Sequence, residues 1–197
     1  MYKILSAFAG CLLTACSSTA LTPNPKVVIA TPLGDITAEI FQRQEPVSAS
    51  AFLRNVDAGV YNADRATFYR VVHPKNQPVN PVKIEVVQAG IDRETGDLST
   101  PFIPHETTAQ TGLTHLDGSL SIARDAPGTG NTEFAICIGP QPELDFGGNR
   151  NPDGQGFAVF GRVTAGMHLI RAIQTRPETG QYLDRPLTIH RITRYSE

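Results

Sequence analysis

The sequence predicts a mainly β domain, a closed eight-stranded antiparallel barrel capped by two α-helices, and three observations lead there. Eight short runs rich in β-branched and aromatic residues recur along the chain. Seventeen Gly and fifteen Pro in 197 residues break the chain between those runs. Only two stretches carry helical periodicity, and a closed sheet would leave no strand edge exposed. The 40% hydrophobic and 18% charged composition suits one globular domain and excludes a disordered tail or a coiled coil. With 17 Lys and Arg against 19 Asp and Glu, the chain lacks the basic excess that nucleic-acid binding needs, so nucleic acid is not an expected partner.

The N-terminus reads as a targeting segment. Lys3 gives a short positive start, residues 4–13 are apolar, and Leu13-Thr14-Ala15-Cys16 follows, the order of a secretory signal with a small-residue cleavage point. The tetrapeptide resembles a bacterial lipobox. That resemblance implies that residues 1–15 are a lipoprotein signal peptide, that Cys16 is lipidated, and that residues 16–25 tether a domain spanning 26–197. Ser17 resembles the outer-membrane sorting pattern, which implies a lipid-anchored protein at the outer membrane facing the periplasm. Cys11 would leave with the signal, so Cys137 is the one thiol left in the domain and no internal disulfide is expected. Within its apolar run Cys137 is expected as a small buried hydrophobe.

From residue 26 the pattern is regular. Runs 27–31 and 35–41, separated by Pro32-Leu33-Gly34, read as a hairpin. Pro46 opens a helix in which Ala49, Phe52, Leu53 and Val56 share one face, ending near Gly59. Residues 67–72, 83–89, 119–124, 133–138, 157–163 and 187–194 supply six further strands, and a second helix is expected over 165–175 with Met167, Ile170 and Ile173 inward. No metal or cofactor is implied. His105-Glu106 begins like a zinc helix, but position 109 is Ala. Asn149, Asn151, Asp153 and Gly154 imitate the start of a calcium loop whose twelfth position is Phe160 rather than Glu. No Ser/His/Asp arrangement is readable from residue order.

An ordered set of segments resembles one family, the cyclophilin-type peptidyl-prolyl isomerases. Phe68-Tyr69-Arg70-Val71-Val72 is similar to its strand bearing the catalytic Arg, and Val87-Gln88-Ala89-Gly90 to its Gln-Gly strand. Leu120-Ser121-Ile122-Ala123-Arg124, Asn131-Thr132-Glu133-Phe134-Ala135-Ile136-Cys137, Leu144-Asp145 and Val159-Phe160-Gly161-Arg162-Val163 continue in order across residues 26–194. The resemblance implies rotation about X-Pro amides, with Arg70 as the catalytic donor and Gln88 binding the substrate backbone and steadying Arg70. It further implies a substrate groove formed by Val86, Asn131, Glu133, Ala135, Leu144 and Phe157. Glu133 stands where a Gln is common, and as an acceptor-only charge it implies a preference for basic or neutral flanking residues.

The same comparison shows departures. Val86 takes the place of a Met, Ala135 that of a Phe, and Phe157 that of a His, while the usual Leu is kept as Leu144. The Phe157 ring is expected to refill part of the space left at Ala135. Glu143 stands where cyclosporin-sensitive members carry a Trp. Between Arg70 and Gln88 the chain inserts residues 73–81, with Pro74, Pro78 and Pro81, either as a lip over the groove or as an inert excursion. The expected function is isomerisation of proline-containing polypeptides in unfolded or extended form in the cell envelope, by a monomer. The competing reading is a catalytically weak peptide-binding module or holding chaperone using the same groove.

Overall fold

The computed structural model describes residues 22–91 and 100–195. The expected signal peptide and the lipidated Cys16 lie outside the described residues. Among those described, no helix is long and apolar enough to cross a membrane.

The expected hairpin is formed by β1 (Lys26–Thr31) and β2 (Gly34–Ile40), followed by helix α1 (Pro46–Asp57). Strands β3 (Ala66–Val72) and β4 (Val86–Gly90) flank the 73–81 insertion. After a single helical turn, α2 (Thr108–Thr111), come β5 (Ser119–Ile122), β6 (Phe134–Cys137) and β7 (Val159–Ala165). The chain ends with α3 (Met167–Gln174), β8 (Glu178–Thr179), β9 (Tyr182–Ile189) and β10 (Arg191–Arg194).

The sheet corrects the eight-stranded closed barrel. Among the described residues, ten strands follow the order β10-β1-β2-β7-β5-β6-β4-β3-β9-β8, all neighbours antiparallel, and no ladder joins β8 to β10. Two physical causes account for the count. The expected run 187–194 is split at His190, whose backbone N–H turns aside to Ala30 O at 2.9 Å. The short β8 pairs with an extension of β9 upstream of that run. Because β9 pairs with β3 and β10 with β1, the single residue His190 carries the chain from one end of the ladder to the other.

The strands enclose an apolar interior. Phe52 and Leu53 of α1 pack onto it, and Phe52 lies 5.6 Å edge-on from Phe134 and 4.8 Å from Phe160. Ile170 and Ile173 of α3 are buried, Met167 only partly. Cys137 is buried and free, and burial pushes its thiol pKa up, the behaviour of a packed hydrophobe rather than a nucleophile.

The start of α1 shows an unusual arrangement. Pro46 lacks an N–H, and the next two donors, of Val47 and Ser48, go to the carboxylate of Glu106 at 3.0 and 2.8 Å. The capping residue Glu45 is 0% exposed, and neither of its carboxylate oxygens has a hydrogen-bond partner among the described residues. Burial first, and the charge of Glu106 second, push its pKa from 4.5 up to about 9. A carboxyl raised in the folded state stabilises the fold fully below the unfolded value. That contribution is lost as pH rises through the folded one. Glu45→Gln copies the protonated form and removes this slope. Relative to wild type, the variant should gain on the order of 3 kcal/mol in urea unfolding between pH 4 and pH 7. An advantage that does not change with pH would contradict the assignment.

Candidate functional site

Arg70 reaches the surface through a backbone irregularity. Alternation along β3 would send Phe68 inward, Tyr69 outward and Arg70 inward. The register instead shifts between Phe68 and Arg70 on both sides of β3, toward β4 and toward β9. Phe68 and Val71 then both enter the interior, while buried Tyr69 and half-buried Arg70 turn to the same side and meet the same neighbour, Gln88.

Gln88 faces Arg70 directly across the β3–β4 ladder, and Arg70 Nη1 donates to Gln88 Oε1 at 3.0 Å. From the other side, Arg70 Nε donates to Gln181 Oε1 at 3.1 Å, and Nη2 donates to the same oxygen. Gln181 is itself fixed, since its Nε2 donates to Asn76 O at 3.0 Å and its carbonyl accepts from Val71 N at 2.8 Å. The guanidinium is thus gripped by two neutral amide oxygens and makes no ion pair among the described residues. Gln88 Nε2 donates onward to Tyr69 Oη, and the Tyr69 hydroxyl donates to Glu133. Glu133 is therefore buried and engaged with Tyr69, not free on the rim. Gly90 permits this closeness: a Cβ there would come within 2.6 Å of Thr132 O and 2.7 Å of Glu133 Cα.

Beside Arg70 lies a cleft of about 260 Å³. Val86, Ala135, Leu144 and Phe157 line it together with Arg70, Gln88 and Glu133. Strand alternation explains the pairing of its floor with the core, for Phe134 points into the aromatic cluster and its neighbour Ala135 points into the cleft. Phe157 packs on the same small cluster as Ala135 without filling the hollow, and the Arg124 guanidinium sits 5.1 Å from the Phe157 ring centroid. Arg124 also grips Asp153 with two bonds of 2.7 and 3.0 Å, holding that carboxyl at about 2. The loop that imitated a calcium site therefore has its Asp153 committed to a guanidinium.

Asn131 is the one expected groove residue that the structure does not bring to the cleft. It is 1% exposed; its Oδ1 accepts from the backbone N–H of Thr132, and its Nδ2 has no partner among the described residues.

Four features of the site were not read from the sequence. Gln181 sits in a two-residue turn, Gly180-Gln181, joining β8 to β9, and both residues adopt positive φ, 59° and 80°. Gly180 between β-forming residues was the signal available. Tyr69, which links Gln88 to Glu133, had no such signal. His115 forms the third, with Nδ1 2.6 Å from Asp145 Oδ1 and Nε2 2.9 Å from Ser121 Oγ. Ser121 pairs with Ala135 across β5–β6, and Asp145 follows Leu144, so this trio, with His115 and Ser121 buried and Asp145 partly exposed, braces two walls of the cleft. The fourth is Arg150, on the cleft lining, whose Nη1 donates to Gln77 Oε1 at 2.8 Å and Val82 O at 2.7 Å.

The fold and the cleft define a class, a β-structured domain with a slot, part apolar and part polar, beside an Arg70 guanidinium held by amide oxygens. The family model "Cyclophilin type peptidyl-prolyl cis-trans isomerase/CLD" matches residues 26–197. The chain is 30% identical over 190 residues to peptidyl-prolyl cis-trans isomerase A of Dickeya dadantii, covering 93% of this chain and 91% of that protein. It is 27% identical over 178 residues to a peptidyl-prolyl cis-trans isomerase of Acinetobacter baylyi, with coverages of 90% and 85%. A crystal structure of a cyclophilin-type isomerase of Cryptosporidium parvum superposes with a TM-score of 0.69 at 20% identity, covering 88% of this chain and 99% of that one. The chain belongs to the cyclophilin-type peptidyl-prolyl cis-trans isomerase family and is an enzyme of that activity.

Proposed function

We propose that isomerisation takes place in the cleft beside Arg70, on proline-containing polypeptides presented in unfolded or extended form. The carrying observation is the Arg70 guanidinium, held by two amide oxygens, on the lining of a hollow one side of which is formed by Val86, Ala135, Leu144 and Phe157. Rotation about an X-Pro amide faces a resonance barrier of about 20 kcal/mol and breaks no bond. The task is to hold the ring, exclude water and favour the twisted state, in which the prolyl nitrogen regains a lone pair. Val86, Ala135, Leu144 and Phe157 accept the pyrrolidine ring, with the Phe157 ring replacing bulk absent at Ala135. Arg70 donates to the substrate carbonyl and the pyramidal nitrogen. Gln88 binds the substrate backbone and, with Gln181, fixes the donor, so that less order is lost at the transition state. The Cryptosporidium parvum isomerase, also solved in the presence of the dipeptide Ala-Pro, supports a proline-containing ligand for this fold.

The protein acts in this reading as a monomer, held at the bacterial outer membrane facing the periplasm by lipid on Cys16. The support for the anchor is the N-terminal sequence from Lys3 to Cys16, and for the outer membrane the Ser17 that follows. Labelled palmitate should enter the wild-type protein in cells and not Cys16→Ala. Equal label in both would refute the anchor.

The small side chains at Val86 and Ala135 favour a second reading, a peptide-binding module with weak turnover. A protease-coupled assay on proline tetrapeptides separates the two. Wild type should accelerate isomerisation, and Arg70→Ala should lower kcat/KM about a hundredfold. Absent wild-type turnover with intact peptide binding would select the binding module. Equal rates for wild type and variant would remove Arg70 from the mechanism.

A further inference from the structure

Among the cationic groups on the cleft, whose lining also includes Asp125, Arg150 is the one that neither the isomerase chemistry nor an ion pair among the described residues gives a task. Its Nη1 hydrogens go to neutral acceptors, Gln77 Oε1 and Val82 O. Its Nε and Nη2 have no partner among the described residues. Arg124, on the same cleft, is neutralised by two bonds to Asp153. The turn that carries Arg150 offers it no counter-charge. Glu143, whose carbonyl accepts from Arg150 N, directs its carboxylate to Asn149 N at 2.8 Å and Asn149 Nδ2 at 3.0 Å.

The guanidinium is nonetheless held firmly. Gln77 is 2% exposed and its amide is fixed by Nε2 bonds to His73 O at 2.9 Å and Ile84 O at 2.8 Å. The 73–81 insertion therefore serves as the mount for a cation on the cleft wall. Burial, and then the like charge of Arg70, depress the Arg150 pKa, so its charge is destabilised where it stands. A rigid, undercompensated fork of N–H donors beside a second guanidinium is the arrangement that takes a carboxylate at low entropic cost.

We propose that Arg150 is a specificity-determining residue that receives a carboxylate side chain of the bound peptide, so that the cleft selects proline segments with an acidic residue close to the proline. This rests on the cleft being the peptide site. The sign is opposite to that expected from Glu133, whose carboxylate is engaged by the Tyr69 hydroxyl.

The test uses tetrapeptides identical except for Glu, Ala or Lys immediately before or after the proline. Wild type should favour Glu over Lys about tenfold in kcat/KM at one of the two positions, and the ratio should fall as sodium chloride is raised. Arg150→Gln, which keeps an amide donor for Gln77 and Val82 O, should bring that ratio to about one, and Arg150→Lys should retain part of it. Thermal unfolding checks the variants, and Arg150→Met replaces Arg150→Gln should the latter not fold. Indifference of wild type to charge at both positions overturns the proposal, as does a preference that survives in the neutral variant. If wild type turns over none of the peptides, the isomerase site has failed separately, and the same Glu-to-Lys ratio read in Kd decides the role of Arg150.

Discussion

The Arg70 guanidinium is held between Gln88 Oε1 and Gln181 Oε1, and the remainder of the site is arranged around that grip. The choice of acceptors matters physically. A carboxylate would fix the fork equally well but would quench its charge and weaken its pull on a substrate carbonyl. Amide oxygens orient the donors and leave the charge available. Each amide is restrained in turn, Gln88 by Tyr69 Oη and Gln181 by Asn76 O, so that the guanidinium is positioned before any peptide arrives.

Backbone irregularities make this grip possible. The shift between Phe68 and Arg70 brings two consecutive residues of β3 to one face, and the tight Gly180-Gln181 turn brings an amide over from the far hairpin. A regular β3 would bury Arg70 in the apolar interior, where an unpaired charge is prohibitive. The apolar half of the site follows from regular structure instead. Alternation along β6 sends Phe134 into the aromatic cluster and Ala135 into the cleft, and the His115 trio fixes the backbone beneath Ala135 and beside Leu144.

The parts of the molecule legible in the sequence are those governed by local pattern. The β1–β2 hairpin, α1 and α3 follow from period and punctuation. Arg70 and Gln88 were found through an ordered resemblance, and the β3–β4 ladder places them opposite each other. The missed features depend on contacts distant in the chain. Gln181 lies 111 residues from Arg70, Arg150 lies 73 from Gln77, and Asp145 lies 30 from His115. The strand count erred because a backbone bond to Ala30 diverts His190, which no composition of 187–194 reveals. Asn131 was placed in the groove by its position in a motif, whereas its side chain serves the turn before β6.

Crystals of the protein soaked with Ala-Pro would show whether the cleft holds the substrate against Arg70, through the position of the proline ring and the distance from Arg70 to the prolyl nitrogen and the carbonyl that precedes it. The ring should lie against Ala135, Leu144 and Phe157, with the guanidinium within hydrogen-bond reach of that carbonyl and still held by Gln88 and Gln181. A dipeptide bound elsewhere, or bound in the cleft with Arg70 swung away from it, would remove Arg70 from the reaction.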